Sequence, residues 1–128
     1  MSAPIASFVI SSKSPRKLAE FYSSLIQGDL KMGNNNNHFY IDLSNGLKIH
    51  FYKASKDRHF PLKGSSSSIC FQQETSNDTS ETLSEWIASL IPVGAIVVED
   101  IRNESFGSEA WLSDPEGNYF LLLVSNDM

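Results

Sequence analysis

The side chains best suited to chemistry lie in one short run of alternating residues. In LKIHFY (47–52), the two-residue period of a strand places Lys48, His50 and Tyr52 on one face. A histidine beside a lysine or a tyrosine is a combination that general acid–base catalysis uses. A single strand histidine is more often a hydrogen-bonded structural residue, so both interpretations of His50 stay open.

Further groups could hold a divalent metal ion. His38 and Asp42 on one strand, with His50 on the next, form one imaginable set, and Glu109 is a further carboxylate. We expect His38 to begin an edge strand and Glu109 to end one, which argues against such a set. His59 lies in a loop without a partner in the sequence, and we expect it to be exposed.

A nine-residue repeat indicates the elements that must position these groups. LAEFYSSLI (18–26) returns as LSEWIASLI (83–91) with five identical positions, and the flanking strands and hairpins repeat as well. A period of half the chain predicts two copies of one supersecondary unit. We read each copy as β-α-β-β-β, which makes the fold class α+β, with modules at about 4–54 and 66–126 of a single domain.

Local signals place the elements within each module. Ser14 with Pro15 begins the first helix, Thr79 or Ser80 caps the second, and Pro92 ends it. The first hairpin turns at the dipeptide Asn45-Gly46, and the second turns at Asp-Pro-Glu-Gly-Asn (114–118). Besides a weak strand near 30–32, the predicted strands are 7–12, 39–43, 47–52, 68–73, 96–101, 110–113 and 119–124.

Strand alternation separates a face under each helix from an open face. The predicted buried set comprises Phe39, Ile41, Leu43, Leu47, Ile49 and Phe51, then Ala110, Leu112, Phe120, Leu122 and Val124, with Trp86 on the apolar side of the second helix. The open faces carry amphipathic rings with few charges, which is typical of a small-molecule pocket. Dimer interfaces use the same residue types, so both interpretations stand. The candidate ligand contacts are Tyr40, Lys48, His50, Tyr52, Phe106, Trp111 and Tyr119.

Composition limits the class of protein. The 128 residues are 41% hydrophobic and carry a net charge of −5, which suits one globular domain and argues against nucleic-acid binding. The basic stretch 53–63 is predicted to be a solvated connector. Cys70, the single cysteine, excludes an internal disulfide and is predicted to be a small buried thiol. Neither a signal peptide nor a membrane span is recognisable, so we expect a cytoplasmic protein.

The segments SPRKLAEFYSSLIQGD near the start and SFGSEAWLSDPEGNYFLLL near the end resemble the vicinal oxygen chelate superfamily. This superfamily includes glyoxalase I, bleomycin-resistance and fosfomycin-resistance proteins and extradiol dioxygenases. The resemblance spans nearly the whole chain. It implies two sheets curled into an incomplete barrel around a cleft, commonly in a homodimer.

Enzymes of that superfamily hold a divalent metal with ligands from four places, which correspond here to Ser7, His50, Ser68 and Leu121. Only His50 is a competent ligand, and Leu121 stands where the superfamily usually has a glutamate. One imidazole does not hold Zn²⁺, Ni²⁺ or Fe²⁺ against water, because such sites use three or four protein ligands. We therefore expect no cofactor.

The resulting expectation is a metal-free relative that binds a small organic molecule. The alternatives are a lyase, isomerase or dioxygenase with an unusual metal site, a metal-free catalyst that uses His50, and a dimer with a structural role only. Nucleic acid and membrane are not expected partners.

Overall fold

The computed structural model describes residues 6–43, 46–53, 55 and 67–126. The chain divides into two compact units, Met1–Ser65 and Ser66–Met128. Each unit contains one sheet and one main helix, so the predicted α+β class is confirmed. Neither sheet closes into a barrel within the described residues. No helix of those residues is long and apolar enough to cross a membrane.

The first unit has the predicted β-α-β-β-β order. Its sheet runs β1-β4-β3-β2, with β1 parallel to β4 and the other pairs antiparallel. The strand β3 is therefore an inner strand, and the expectation that His38 begins an edge strand is wrong. The elements are β1 (Phe8–Ser12), α1 (Pro15–Ile26), β2 (Leu30–Met32), β3 (His38–Asp42) and β4 (Lys48–Lys53).

The helix α1 covers one face of this sheet. Ser14 is its N-cap residue with Pro15 in its first turn, as predicted, and the left-handed residue after it is Gln27. The predicted face of the sheet is buried under the helix, except that Leu43 and Leu47 are only half-buried. The core of this unit consists of Leu18, Ala19, Phe21, Tyr22, Leu25, Phe39, Ile41, Ile49 and Phe51.

The connection between β3 and β4 differs from the predicted two-residue turn. Asp42 pairs with Lys48, and the Leu43 amide donates to the Leu47 carbonyl at 2.7 Å, so three residues form the loop. Gly46 has the positive φ (88°) that the turn requires, while Ser44 and Asn45 lie outside the described residues. Burial explains this difference. A loop with an odd number of residues keeps the apolar positions of both strands on one face, whereas a loop with an even number would place them on opposite faces.

The second unit repeats this order, except that its second strand is divided into two pieces. Its sheet runs β5-β9-β8-β6, with β5 parallel to β9 and with β7 also paired to β8. A short 3₁₀ helix (Ile91–Val93) follows α2. The elements are β5 (Ile69–Thr75), α2 (Thr79–Leu90), β6 (Ile96–Val97), β7 (Arg102–Glu104), β8 (Gly107–Ser113) and β9 (Tyr119–Asn126).

The single strand predicted at 96–101 is wrong. The amides of Val98 and Glu99 both donate to the Trp111 carbonyl, at 2.9 and 3.1 Å. This bulge interrupts the ladder and shifts the pairing register with β8 by two residues between β6 and β7.

The predicted cap of α2 is also wrong. The N-cap residue is Asp78, whose carboxylate accepts from the Ser80 and Glu81 amides at 2.9 and 3.2 Å. Thr79, which the sequence offered as a cap, instead shares a hydrogen bond of 2.8 Å with the Ser108 hydroxyl.

The core of the second unit matches the predicted strand face. Ala110, Leu112, Phe120, Leu122 and Val124 are all buried. On α2 the buried residues are Leu83, Ile87 and Leu90, whereas Trp86 is only half-buried. The prediction that Trp86 lies under the helix is therefore only partly correct.

The predicted turn at 114–118 is confirmed. The Asp114 carboxylate is buried and accepts from the amides of Glu116 (2.8 Å) and Asn118 (3.0 Å), and Gly117 takes a positive φ of 88°. The side chain of Asp114 thus supplies hydrogen bonds that the loop backbone would otherwise lack.

We expect Gly107→Ala to destabilise the protein by about 2 kcal/mol or more. Gly107 has φ 152°, and a Cβ there would stand 2.2 Å from the Val124 carbonyl oxygen of the neighbouring strand. Gly117→Ala is the matched control, because its φ is also positive but its Cβ would meet no atom within 4 Å, so a cost of about 1 kcal/mol is expected. Equal losses in urea-unfolding free energy for the two variants would contradict the steric argument.

Candidate functional site

The face of the first sheet away from α1 carries the polar side chains of β3 and β4. We call it the first open face, and its members from these strands are His38, Tyr40, Asp42, Lys48, His50 and Tyr52. All six are half-buried. Cross-strand pairing sets Tyr40 opposite His50, His38 opposite Tyr52 and Asp42 opposite Lys48. The predicted contacts from the first module are thus brought together.

Two of these side chains form a histidine pair. The Nε2 atom of His38 and the Nδ1 atom of His50 are 2.9 Å apart, within hydrogen-bond distance. The Asn34 amide donates to the other nitrogen of His38, Nδ1, at 3.2 Å. Gly33 makes room for this arrangement, because a Cβ there would overlap the His38 ring at 2.1 Å.

Tyrosine rings border the histidine pair. The ring centroids of Tyr40 and His50 are 5.6 Å apart. Tyr52 lies across the ladder from His38, and these two residues line an open pocket of about 460 Å³. The other residues that line it are Asn34, Asn35, Asn37, Lys53 and Ser55. The face therefore combines aromatic surface with a hydrogen-bonding centre, the usual composition of a small-molecule site.

A second polar cluster lies at the Asp42 end of the face. The Asp42 carboxylate forms ion pairs with Lys31 (2.9 Å) and with Lys48 (2.5 Å). The hydrogen bonds from Lys31 and Lys48 lower the pKa of Asp42 from its ordinary 3.8 to about 2. The Lys48 ammonium also lies 4.9 Å from the centroid of the Tyr40 ring. At neutral pH this carboxylate is therefore ionised and already paired.

The four positions that correspond to the superfamily's metal ligands offer one competent donor group. In the first unit, Ser7 is exposed and precedes β1, while His50 is on β4. In the second unit, Ser68 is exposed and precedes β5, and Leu121 lies on β9 opposite Trp111. Two hydroxyls, one imidazole and one alkyl group are a poor donor set for a divalent metal.

The alternative metal set is only partly assembled. His38 and His50 are adjacent, but the Asp42 carboxylate is engaged by two lysines, and Glu109 belongs to an inner strand of the second sheet, where it pairs with Arg102 at 3.4 Å. Within the described residues, no three His, Cys, Asp or Glu side chains cluster closely enough to hold a metal ion. His59 lies outside the described residues, as do all but Lys53 and Ser55 of the stretch 53–63.

The second sheet also has an open face, which carries Trp111 and Tyr119. Trp111 is half-buried on β8, and Tyr119 at the start of β9 is 58% exposed. Phe106 is exposed in the turn between β7 and β8. These three predicted contacts lie on the second unit.

Cys70 also lies on this sheet, and the prediction of a buried thiol is wrong because it is exposed. Partial desolvation and then the neighbouring Glu109 carboxylate raise the pKa of its thiol. A raised pKa disfavours the thiolate, so Cys70 is a poor nucleophile.

Sequence reasoning placed Tyr40, Lys48, His50 and Tyr52 on the first open face but missed Lys31 and the role of His38. It named His38 as a possible ligand but not as the hydrogen-bond partner of His50. The available signal was the alternation of both strands, which fixes the register and brings His38 diagonally next to His50.

Comparisons with known proteins agree with this architecture. A hypothetical protein from S. aureus shares 15% identity over 97% of this chain and 95% of its own, with a TM-score of 0.75. A glyoxalase/bleomycin resistance protein/dioxygenase family enzyme from Burkholderia phytofirmans shares 19% identity over 96% and 99%, with a TM-score of 0.70. The fosfomycin resistance protein FosX from Listeria monocytogenes, complexed with Mn(II) and a dihydroxypropylphosphonic acid, shares 16% over 96% and 90%, with a TM-score of 0.70.

At these identities the solved structures establish a shared fold. No curated protein matches the chain significantly. The family assignment comes from the sequence itself, since residues 7–123 match the glyoxalase-like domain family. The chain therefore belongs to the glyoxalase-like domain family.

Proposed function

We propose that this protein binds a small organic molecule on its first open face and does so without a catalytic metal. The observation that carries the proposal is the hydrogen-bonded pair of His38 and His50 between Tyr40 and Tyr52. Such a centre orients a polar group of a ligand, while the tyrosine rings cover its apolar part.

The donor chemistry supports the metal-free part of the proposal. Of the superfamily's four ligand positions, Ser7, Ser68 and Leu121 offer no imidazole or carboxylate. The two lysines hold the nearby Asp42 carboxylate, so it does not complete a site around His50. The family's enzymes and resistance proteins both handle small molecules, and binding is the part of that activity that needs no metal.

A second candidate function is metal-free proton transfer by His50. The specific observation in its favour is that His38 orients the His50 ring through a hydrogen bond, as a partner residue orients a catalytic histidine. Turnover of a bound compound that is lost in His50→Gln, with binding retained, would favour this candidate over simple binding.

Truncation of Tyr40 tests the location of the site. We expect Tyr40→Ala to weaken the binding of an aromatic ligand by about tenfold, because the ring next to His50 would be lost. The measurement is a titration followed in proton–nitrogen correlation spectra, in which amides of β3 and β4 should shift.

Phe8→Ala is the matched control for this experiment. Phe8 is an aromatic residue, 41% exposed, that pairs with Ile49 and so lies on the helix-facing side of the same sheet. An equal loss of affinity in both variants, or a ligand that shifts no amide of β3 and β4, would contradict a site on the first open face.

Tryptophan fluorescence tests the contacts predicted on the second unit. In a Trp86→Phe variant the remaining tryptophan emission comes from Trp111, and a change in it at saturation would support Phe106, Trp111 and Tyr119 as ligand contacts. An unchanged Trp111 signal at saturation would remove Phe106, Trp111 and Tyr119 from the set of ligand contacts.

A further inference from the structure

The tautomer of His38 follows from its backbone neighbour. The Asn34 amide is always a donor, and it points to His38 Nδ1 at 3.2 Å. That nitrogen must therefore offer a lone pair, which places the proton of the neutral His38 ring on Nε2. His38 Nε2–H is then the donor in the bond to His50.

The tautomer of His50 follows in turn. Its Nδ1 accepts the proton of His38 at 2.9 Å, so the neutral His50 ring carries its own proton on Nε2. Within the described part of the chain, His50 Nε2 has no hydrogen-bond partner, and no buried side-chain nitrogen or oxygen of a non-exposed residue there lacks one. His50 Nε2–H is consequently accessible to solvent, as a donor aimed away from His38.

Two lysines share one carboxylate in the polar cluster of this face. Lys31, on β2 opposite Tyr40, and Lys48, on β4, share the single Asp42 carboxylate. The charges of these three groups sum to one positive charge. Asp29, which precedes β2, is the smallest of the influences that raise the pKa of Lys31. From β1, the residues on this side are Val9 and Ser11, which carry no charge.

The positive charge of the Lys31, Lys48 and Asp42 cluster is opposite in sign to the net charge of the whole protein, which is −5. Screening at physiological salt reduces interactions beyond about 8 Å, so charges in contact with a ligand outweigh the distant ones. The preference of this face for one class of ligand therefore depends on Lys31, Lys48 and the His50 N–H donor rather than on the net charge of the protein.

We propose that the first open face selects organic anions, with a carboxylate or phenolate oxygen that accepts the His50 Nε2–H proton and an aromatic or apolar body against the tyrosines. This inference rests on the proposed binding function and specifies the class of ligand. An organic cation of the same shape would meet an N–H donor and an excess of ammonium groups, which are mismatched with it.

The test compares three probes of nearly the same shape: benzoate, benzamide and benzamidine. Spectra of protein with nitrogen-labelled histidine first show which ring nitrogens carry protons, and we expect protons on Nε2 of both His38 and His50. Benzoate should then bind at β3 and β4 at least tenfold more tightly than benzamidine, with a shift of the His50 Nε2 signal, as loss of a charge-assisted hydrogen bond implies.

Two substitutions of His50 separate the hydrogen bond from the ring. His50→Phe keeps a ring but has no donor, so the affinity for benzoate should fall about tenfold, whereas His50→Gln keeps an N–H donor and should lose less. Lys17→Gln is the control for a change of charge, since Lys17 is an exposed residue of α1. Equal affinities of the Phe and Gln variants would contradict a role of the His50 donor.

The outcomes separate this inference from the proposed function. Benzamidine binding at β3 and β4 as tightly as benzoate would overturn the selection of anions and leave small-molecule binding in place. An unprotonated His50 Nε2 in the free protein would likewise overturn the inference. If none of the three probes shifts the β3 and β4 amides, both the inference and the proposed function are wrong.

Discussion

The pairing register of β3 with β4 is the constraint on which the first unit depends. Directly opposite residues share a face, so Phe39 opposite Phe51 and Ile41 opposite Ile49 place four apolar side chains under α1. A shift by one residue would set Phe39 opposite Tyr52 and send half of this set to the solvent side. Each such side chain contributes about 1.5–3 kcal/mol by its burial, so the hydrophobic core holds the register.

The same register arranges the polar chemistry on the other side of the sheet. It places His38 diagonally beside His50, and it places Lys48 across from Asp42. Neither ring nitrogen of His50 then offers a free lone pair, because Nδ1 accepts a hydrogen bond from His38 and Nε2 carries the proton. A metal ion needs a lone pair on the imidazole, so metal binding by His50 would require a tautomer change that also disrupts the bond from Asn34. We propose that His50, at a position that corresponds to a metal ligand in the superfamily that the sequence resembles, instead presents a hydrogen-bond donor.

Much of this could be predicted from the sequence, because alternation and helical spacing report burial directly. The two β-α-β-β-β orders, the helix-facing residues and the turn at 114–118 are confirmed for that reason. The errors occur where side chains compete for backbone hydrogen bonds: Asp78 caps α2 ahead of Thr79, and a bulge at Val98 and Glu99 divides a strand. Propensities of single residues do not resolve such competition, which the geometry of the neighbouring strands decides.

The histidine pair shows the limit of the sequence more sharply. The dipeptide Asn45-Gly46 suggests a two-residue turn, whereas the apolar alternation of both strands requires an odd loop, and only the second signal predicts contact between His38 and His50. A local turn preference is worth less than the burial of four core side chains, so the alternation prevails. The charges on this face were even harder to predict from the sequence, because Lys31 lies there on β2, which has the weakest strand signal in the sequence.

We propose that this family member has an organic binding site in place of a divalent-metal site. Metal content of the untagged protein, measured by mass spectrometry after exposure to Zn²⁺, Ni²⁺, Mn²⁺ and Fe²⁺ without chelator, tests it most directly. We expect far less than one metal ion per chain, because His50 is the only competent donor among the superfamily's four ligand positions. One tightly held ion per chain that is lost in His50→Gln would contradict the account and make a metal-dependent enzyme the leading interpretation.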